Sequence, residues 1–426
     1  MDSSLLALAI FAAVYILMIL DLADRTVLVI FGALSMIGLG ILTEEQAIAA
    51  IEWNAIGLIF GMFILVAALN ESGFFRWIGL KCLALAKFEF LRIFVLFCAL
   101  SAFLAAFMDS ITVLVFMAAL SIEVCSILKV PPLPLIIAMI CSANIGGSAT
   151  IMGDPPNVVI GTGMGLTFMD FITHTAPISV MAFLLNLGIF YLWYCKSFHC
   201  EKVDCKRIME EHKDLDPFSA VKDIKQMRLA LIVFAFTVTL LVMHNVLDLL
   251  VAFVAVLGSA LVLLLRRKRL DDIIEKIDWH TIIFLMGLFV MVGGLEATGV
   301  LEGLADGIAD AAGGSTILLV LILFWSVALI SAVFDNIPVV AAMLPVIRSI
   351  SAHTGVSADS LAYTTALAAD ISGNATPIGA SANVVGLAVA EKNGVEWSWK
   401  SYCKVAIPAT FAVLGLVSLL VLLTLF

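Results

Sequence analysis

Apolar residues fill run after run of roughly 16 to 24 positions, separated by short polar stretches. That is the length an α-helix needs to cross hydrocarbon. Taken in order, the runs predict spans at 5–20, 26–42, 55–70, 133–162, 176–195, 229–245, 250–265, 280–295, 359–390 and 403–425. Two further apolar segments, 93–128 and 317–347, are interrupted midway by "MDSIT" and "FDNIP", so each reads as a re-entrant hairpin that enters and leaves on one side. Two of the spans are themselves broken, by "GGSATIMGDPPNVV" at 146–159 and "SGNATPIGASANVV" at 372–385. Glycine permits unusual backbone angles and proline removes an N–H, so such a stretch ends one half-helix and begins another. Unwound backbone is tolerated at membrane depth only inside protein or against a wet cavity.

The pattern repeats. A single shift of 226 residues aligns "EWNAIGLIFGMFI" (52–64) with "DWHTIIFLMGLFV" (278–290), "ESGFF" (71–75) with "ATGVL" (297–301), and "DSITV" (109–113) with "DNIPV" (335–339). The same shift superposes the two breaks, identical at seven of fourteen positions. Matches such as Trp53/Trp279, Asp109/Asp335, Thr150/Thr376 and Asn157/Asn383 are not the chance agreement of two greasy segments. The expected architecture is therefore an all-α polytopic membrane protein of two repeats. The first covers 1–195 (hairpin 93–128, broken helix 133–162), a cytoplasmic linker covers 196–228, and the second covers 229–426 (hairpin 317–347, broken helix 359–390). Five spans is an odd number, which inverts the second repeat relative to the first, the arrangement that underlies alternating access.

Charge orients this layout. With the 196–228 loop in the cytoplasm, 22 of the 23 Lys and Arg fall on the cytoplasmic side, including Arg25, 76–92, Lys129 and "RRKR" at 266–269, and only Arg348 does not. The positive-inside bias thus places both termini outside. Met1 leads into an apolar run without a basic region or small-residue cleavage site, so the first helix is expected to stay. The net charge of −10 comes from acids scattered through short loops and a few intramembrane positions, which implies no nucleic-acid partner.

Chemistry concentrates where the helices break. Asp109, Asp154, Asp335 and Asp370 lie at membrane depth, where an ionised carboxylate costs on the order of 3 kcal/mol unless neutralised. No Lys or Arg stands in sequence where it is expected to pair with them, so they must be protonated, bind a cation, be wet, or serve as caps for backbone N–H groups. Around them Ser110, Thr112, Asn144, Ser148, Thr150, Asn157, Asn336, Asn374, Thr376, Ser381 and Asn383 supply neutral oxygens and amides, and Gly146, Gly147 and Gly373 permit close backbone approach. These eighteen residues are the candidate substrate and ion site. Without an intramembrane arginine, a proton, Na⁺ or a neutral hydroxide such as arsenous acid is easier to hold than a multivalent anion. No catalytic triad, nucleotide-binding loop or metal-ligand helix is present, and an enzyme is not expected.

The remaining polar features are subordinate. His174, His244, His280 and His353 sit near span ends as interfacial anchors, with a proton relay as the alternative. Residues 74–92 read as an amphipathic helix on the cytoplasmic face, and the counterpart at 300–312 is acidic. The eight cysteines form no disulfide framework. Cys195, Cys200 and Cys205, with His199 and His212 nearby, offer a soft metal or a trivalent metalloid its donors, or simply remain reduced at the interface, and their spacing matches no standard zinc site.

"SANIGGSATIMGDPPNVVIG" (142–161), "FDNIPVVAAMLPVI" (334–347) and "ISGNATPIGASANVVGLAVAEKNG" (371–394) closely resemble the signatures of the P-protein branch of the ion transporter superfamily, over essentially the whole chain. That superfamily includes ArsB-type arsenite permeases, NhaD-type Na⁺/H⁺ antiporters and divalent-anion/Na⁺ symporters. The resemblance implies a homodimer in the cell membrane, with a rigid scaffold built from the first three spans of each repeat and a mobile, elevator-type transport domain built from the hairpins and broken helices. The symporters carry Ser-Asn-Thr at their hairpin tips, where this chain has Asp109-Ser110-Ile111-Thr112 and Asp335-Asn336-Ile337-Pro338. The expected function is secondary active transport of a small anion or an arsenite-like metalloid hydroxide, coupled to H⁺ or Na⁺ through the four aspartates, with no other cofactor. A Na⁺/H⁺ antiporter and an anion channel on the same fold are the alternatives.

Overall fold

The computed structural model of the protein describes residues 3–20, 22–87, 89–198, 221, 223–266, 273, 275 and 277–426. Cys200, Cys205, His199 and His212, and with them the candidate metalloid cluster and most of the linker, lie outside the described residues. Among those described, all regular structure is helical. The first half contains α1 (Ser3–Ile19), α2 (Arg25–Gly38), α3 (Glu44–Ala49), α4 (Trp53–Glu71), α5 (Phe74–Leu85), α6 (Phe90–Ala105), α7 (Ser110–Leu128), α8 (Leu133–Gly147), α9 (Pro155–Met164) and α10 (Phe168–Phe198). The second contains α11 (Ile224–Met243), α12 (Val251–Arg266), α13 (Trp279–Ala297), α14 (Val300–Ala312), α15 (Thr316–Ser331), α16 (Asn336–Thr354), α17 (Ala358–Ser372), α18 (Ser381–Lys392) and α19 (Trp399–Thr424).

Helix boundaries follow the 226-residue shift. Both ends of α4, α6 and α7 coincide with those of α13, α15 and α16, and α1, α2, α5, α8, α9 and α10 each have a counterpart with at least one end displaced by one to five residues. The ends have local causes. Asp24 caps α2 by accepting from the Thr26 and Val27 backbone N–H groups, Thr43 and Gln46 form a capping box at α3, and glycines in the left-handed conformation stand at the equivalent starts of α5 and α14, Gly73 and Gly299.

Among the described residues seven helices, α4, α7, α10, α11, α13, α16 and α19, are long and apolar enough to cross a membrane. This set includes α7 and α16, which the sequence pattern reads as return arms of hairpins; at 19 residues each they are full-length helices. The remaining expected crossings are shorter helices, or half-helices flanking a break.

The two halves exchange partners. Helix α2 packs along α13, and α12 packs along α4. At the contacts Gly287 faces Val29 and Gly61 faces Ala255, again a 226-residue correspondence, and a Cβ on Gly61 would lie 2.5 Å from the Ala255 carbonyl carbon. Small residues let such backbones touch, as membrane helix contacts require. Half-helix α18 lies against α7, and α9 against α16, so each break is held by the hairpin of the other half.

One basic residue at a helix end is not left to solvent. Arg266, the last residue of α12, is buried: Nη1 donates to the Ala68 carbonyl at 2.9 Å and pairs with Glu71 at 3.5 Å, and Nε donates to Gln226 at 3.2 Å. A guanidinium with several donors is satisfied inside protein where a loop position would leave it in water.

Candidate functional site

Unwinding a helix strands its carbonyls, and buried backbone groups must find partners. At the first break the Asn157 side-chain amide donates to Gly147 O at 2.9 Å and Thr150 O at 3.0 Å; at the second, Asn383 donates to Gly373 O at 2.7 Å and Thr376 O at 2.8 Å. Thr150 donates to Ala106 O, and Thr376 to Ala332 O, tying each break to the tip of its own hairpin. These bonds correspond one for one under the 226-residue shift. Asn157→Leu and Asn383→Leu should each cost about 1–3 kcal/mol, the penalty for stranding buried acceptors. Thermal unfolding in detergent measures it, and a midpoint unchanged in both variants would remove these amides from the role of struts.

The carboxylates do not obey the shift so simply. Asp154, the N-cap residue of α9, accepts from the Ser110 hydroxyl at 2.5 Å and from its N–H at 3.4 Å. The position equivalent to Asp154 is Ala380; in the second half the buried acid is Asp370, which accepts from Asn336 at 3.2 Å. Asp109 caps α7 by accepting from Thr112 N at 3.1 Å. Asp335 cannot repeat that bond, because the equivalent of Thr112 is Pro338, which has no N–H. It turns instead to Arg25, whose Nη1 lies 3.1 Å from Asp335 Oδ2, and to Ser381, whose hydroxyl donates at 2.5 Å. The expectation that no Arg pairs with the intramembrane acids is thus corrected. Arg25 lies 310 residues away in the chain, and only the packing of α2 beside the second half brings it there.

Between the halves, both hydrogens of the Asn144 amide are used, on Asn374 Oδ1 and Asn383 Oδ1, each at 2.8 Å. Asn374 donates onward to Cys141 O at 3.3 Å, and Tyr402 donates to Asn374 O at 3.1 Å. Other predicted members act differently. Ser148 bonds to Ile145 O and to Ser179 of α10, each at 2.8 Å. Gly146 is pressed against the Ala102 backbone, and Gly147 leaves room for Asp154, whose Oδ2 would stand 2.7 Å from a Cβ there. Arg25, Ser179 and Tyr402 are the polar residues that sequence reasoning missed. Neither end residue carried a distinct signal: Tyr402 stands between Lys400 and Lys404 in the polar first turns of α19, and Arg25 looked like any loop-end basic residue.

After these bonds, one oxygen each of Asp109, Asn144, Asp154, Asn157, Asp335 and Asp370 is buried without a hydrogen-bond partner among the described residues. All six are acceptors. Helices α7, α9, α16 and α18 all begin here, and their positive dipole ends face an acidic N-cap in Asp109, Asp154 and Asp335, but only Ala380 at α18. A cavity of ≈ 470 Å³ reaches Arg25, Asp335 and Ser381, whereas the pocket at Asp109 is only ≈ 20 Å³ and is lined by Ile59, Met62, Phe63 and Val66 of α4.

The family model of the citrate transporters, CitMHS, matches residues 15–368. The chain belongs to this family. Relatives of the chain include two uncharacterized transporters of Mycobacterium tuberculosis, one 32% identical with 93% of each chain covered, the other 32% identical with 94% of each covered. The P protein of Mus musculus is 27% identical over 94% of this chain and 58% of its own length, in line with the branch that the break motifs resemble. Among solved structures the fold is similar to the YdaH transporter of Alcanivorax borkumensis (TM-score 0.60, 14% identity, 88% of this chain and 86% of that one). It is also similar to MtrF of Neisseria gonorrhoeae, described as illuminating a class of antimetabolite efflux pumps (TM-score 0.59, 11% identity, 86% and 80% covered). This member of the citrate transporter family is a multi-pass membrane transporter.

Proposed function

We propose that the protein is a secondary active transporter that couples H⁺ or Na⁺ to the movement of a small anion. The six buried oxygens without partners carry this reading: acceptors that no donor satisfies, four of them on carboxylates, recruit a proton or a hard monovalent cation. The family's name favours a carboxylate substrate such as citrate. Two inverted repeats, with both termini outside, supply the alternating access. In that orientation the larger cavity, at Asp335, faces the cytoplasm and the smaller pocket, at Asp109, faces outward, which suits an inward-facing state. The hairpins and breaks, interlocked across the halves, form the mobile elevator body, and the α2–α13 and α12–α4 pairs form the scaffold and dimer contact.

Purified protein in proteoliposomes tests this. Citrate, succinate, phosphate, sulfate and arsenite are offered under imposed Na⁺ or H⁺ gradients, and gradient-driven uptake of at least one is expected. Na⁺-driven proton movement with no other solute present would replace the proposal with a Na⁺/H⁺ antiporter. Conductance indifferent to the gradient would replace it with a channel.

A further inference from the structure

The six partnerless oxygens of the site suit cations and repel anions, so a transported anion needs a positive counterpart elsewhere. Among the described residues one guanidinium reaches the breaks. Arg25 Nη1 donates to Ser381 Oγ at 2.6 Å and to Asp335 Oδ2 at 3.1 Å, and its guanidinium lies 5.7 Å from the ring centroid of Phe284. The Arg25 side chain is 40% exposed and opens into the ≈ 470 Å³ cavity, which also reaches Ser381 and the first turn of α18. Helix α18 is the one of the four converging helices whose N-cap is not acidic, so its positive end is not offset by a carboxylate of its own. The other acid on the cavity wall, Asp24, is engaged as the cap of α2, at 2.9 and 3.2 Å from the Thr26 and Val27 N–H groups, and faces His280 at 4.0 Å.

The pairing is specific to one side. The equivalent of Arg25 in the second half is Val251, and the equivalent of Ser381 is Pro155, so the Asp109 side has neither the charge nor the hydroxyl. Asp335 is also the tip carboxylate that Pro338 excludes from capping its own helix, which leaves it free to come and go from the guanidinium.

We propose that Arg25, Ser381 and the N-terminus of α18 form the binding site for a carboxylate of the transported anion, and that Asp335 occupies this site in the substrate-free protein as an internal carboxylate. The incoming carboxylate exchanges with Asp335 on the same guanidinium, which keeps the positive charge compensated throughout. This rests on the anion-transport reading above and adds the residue that recognises the anion.

Binding of citrate, succinate and inorganic phosphate to detergent-purified protein, measured by calorimetry at one fixed pH, tests the assignment. Wild type should bind at least one of the two carboxylates more tightly than phosphate. Arg25→Gln should weaken that binding about tenfold to a hundredfold, the worth of hydrogen bonds to a charged group. Asp335→Asn, which removes the competitor, should tighten it. The double variant Arg25→Gln/Asp335→Asn pairs two neutral amides and controls for a merely structural clasp: a clasp role predicts recovered stability and wild-type binding, whereas the proposal predicts recovered stability with binding still lost. Wild-type affinity in Arg25→Gln, phosphate bound in preference to both carboxylates, or binding restored in the double variant overturns the inference and leaves anion transport standing. Absence of binding of all three by wild type overturns the inference, and the anion-transport reading falls with it only if the proteoliposomes also show no gradient-driven uptake of any solute offered.

Discussion

Asp154→Asn and Asp370→Asn are each expected to leave a folded, dispersed protein whose gradient-driven flux falls about a hundredfold or more, as loss of a membrane-buried coupling charge implies. The substitutions are nearly isosteric. Asparagine at 154 retains an oxygen to accept from the Ser110 hydroxyl and N–H, and at 370 an oxygen to accept from Asn336, so the architecture keeps the bonds it has. What disappears is the second carboxylate oxygen, buried and partnerless in both residues, which is where a proton or cation would reside. Asp109→Asn provides the contrast. Asparagine caps a helix as well as aspartate does, so the bond to Thr112 N survives, and any loss of flux there reports on charge and not on the cap. Flux is measured in proteoliposomes and stability by thermal unfolding. If Asp154→Asn and Asp370→Asn both transport with unchanged pH and Na⁺ dependence, the coupling role is wrong and these acids are structural.

The second large effect is steric. Gly153→Ala and Gly379→Ala should each abolish transport and lower stability by more than about 3 kcal/mol, the upper end of ordinary overpacking. A Cβ on Gly153 would stand 2.3 Å from Gly147 O and 2.8 Å from Ala105 O; on Gly379, 2.6 Å from Gly373 O and 2.8 Å from Ala332 O. The obstructing atoms are backbone at the hairpin tip and at the start of the break, so no rotamer change relieves the clash, and the break must part from its hairpin. Gly188→Ala and Gly415→Ala, where a Cβ meets nothing within 4 Å, serve as controls and should be neutral or slightly stabilising. Wild-type midpoint and flux in Gly153→Ala would show that the hairpin and break need not touch.

Much of this was readable before any coordinates. Spans, breaks and their recurrence followed from local rules, because in hydrocarbon each helix must satisfy its own backbone and so writes its length and its interruptions into consecutive residues. The difference between "DSIT" and "DNIP" was equally visible, and with it the absence of an N–H at Pro338, although its consequence, a tip carboxylate released from capping, needed the partner to be known. The chemical inequality of the two breaks was also legible, since Asp154 faces Ala380 across the repeat. The structure refines that inequality, because the second half places its own buried acid on the preceding helix, at Asp370, and reaches it through Asn336.

The sequence by itself determined an all-helical membrane protein of two related halves, with unwound, acid-bearing crossings as its chemical centre. Tertiary structure alone decided which residues meet across the halves: α2 against α13 and α12 against α4, Asn144 against Asn374 and Asn383, Arg266 drawn inward, and Arg25 on Asp335. The reason is physical. Helix formation is settled by neighbours a few positions apart, whereas the pairing of charges and amides hundreds of residues apart depends on how finished helices pack, and on that the local pattern of apolar and polar positions carries no information.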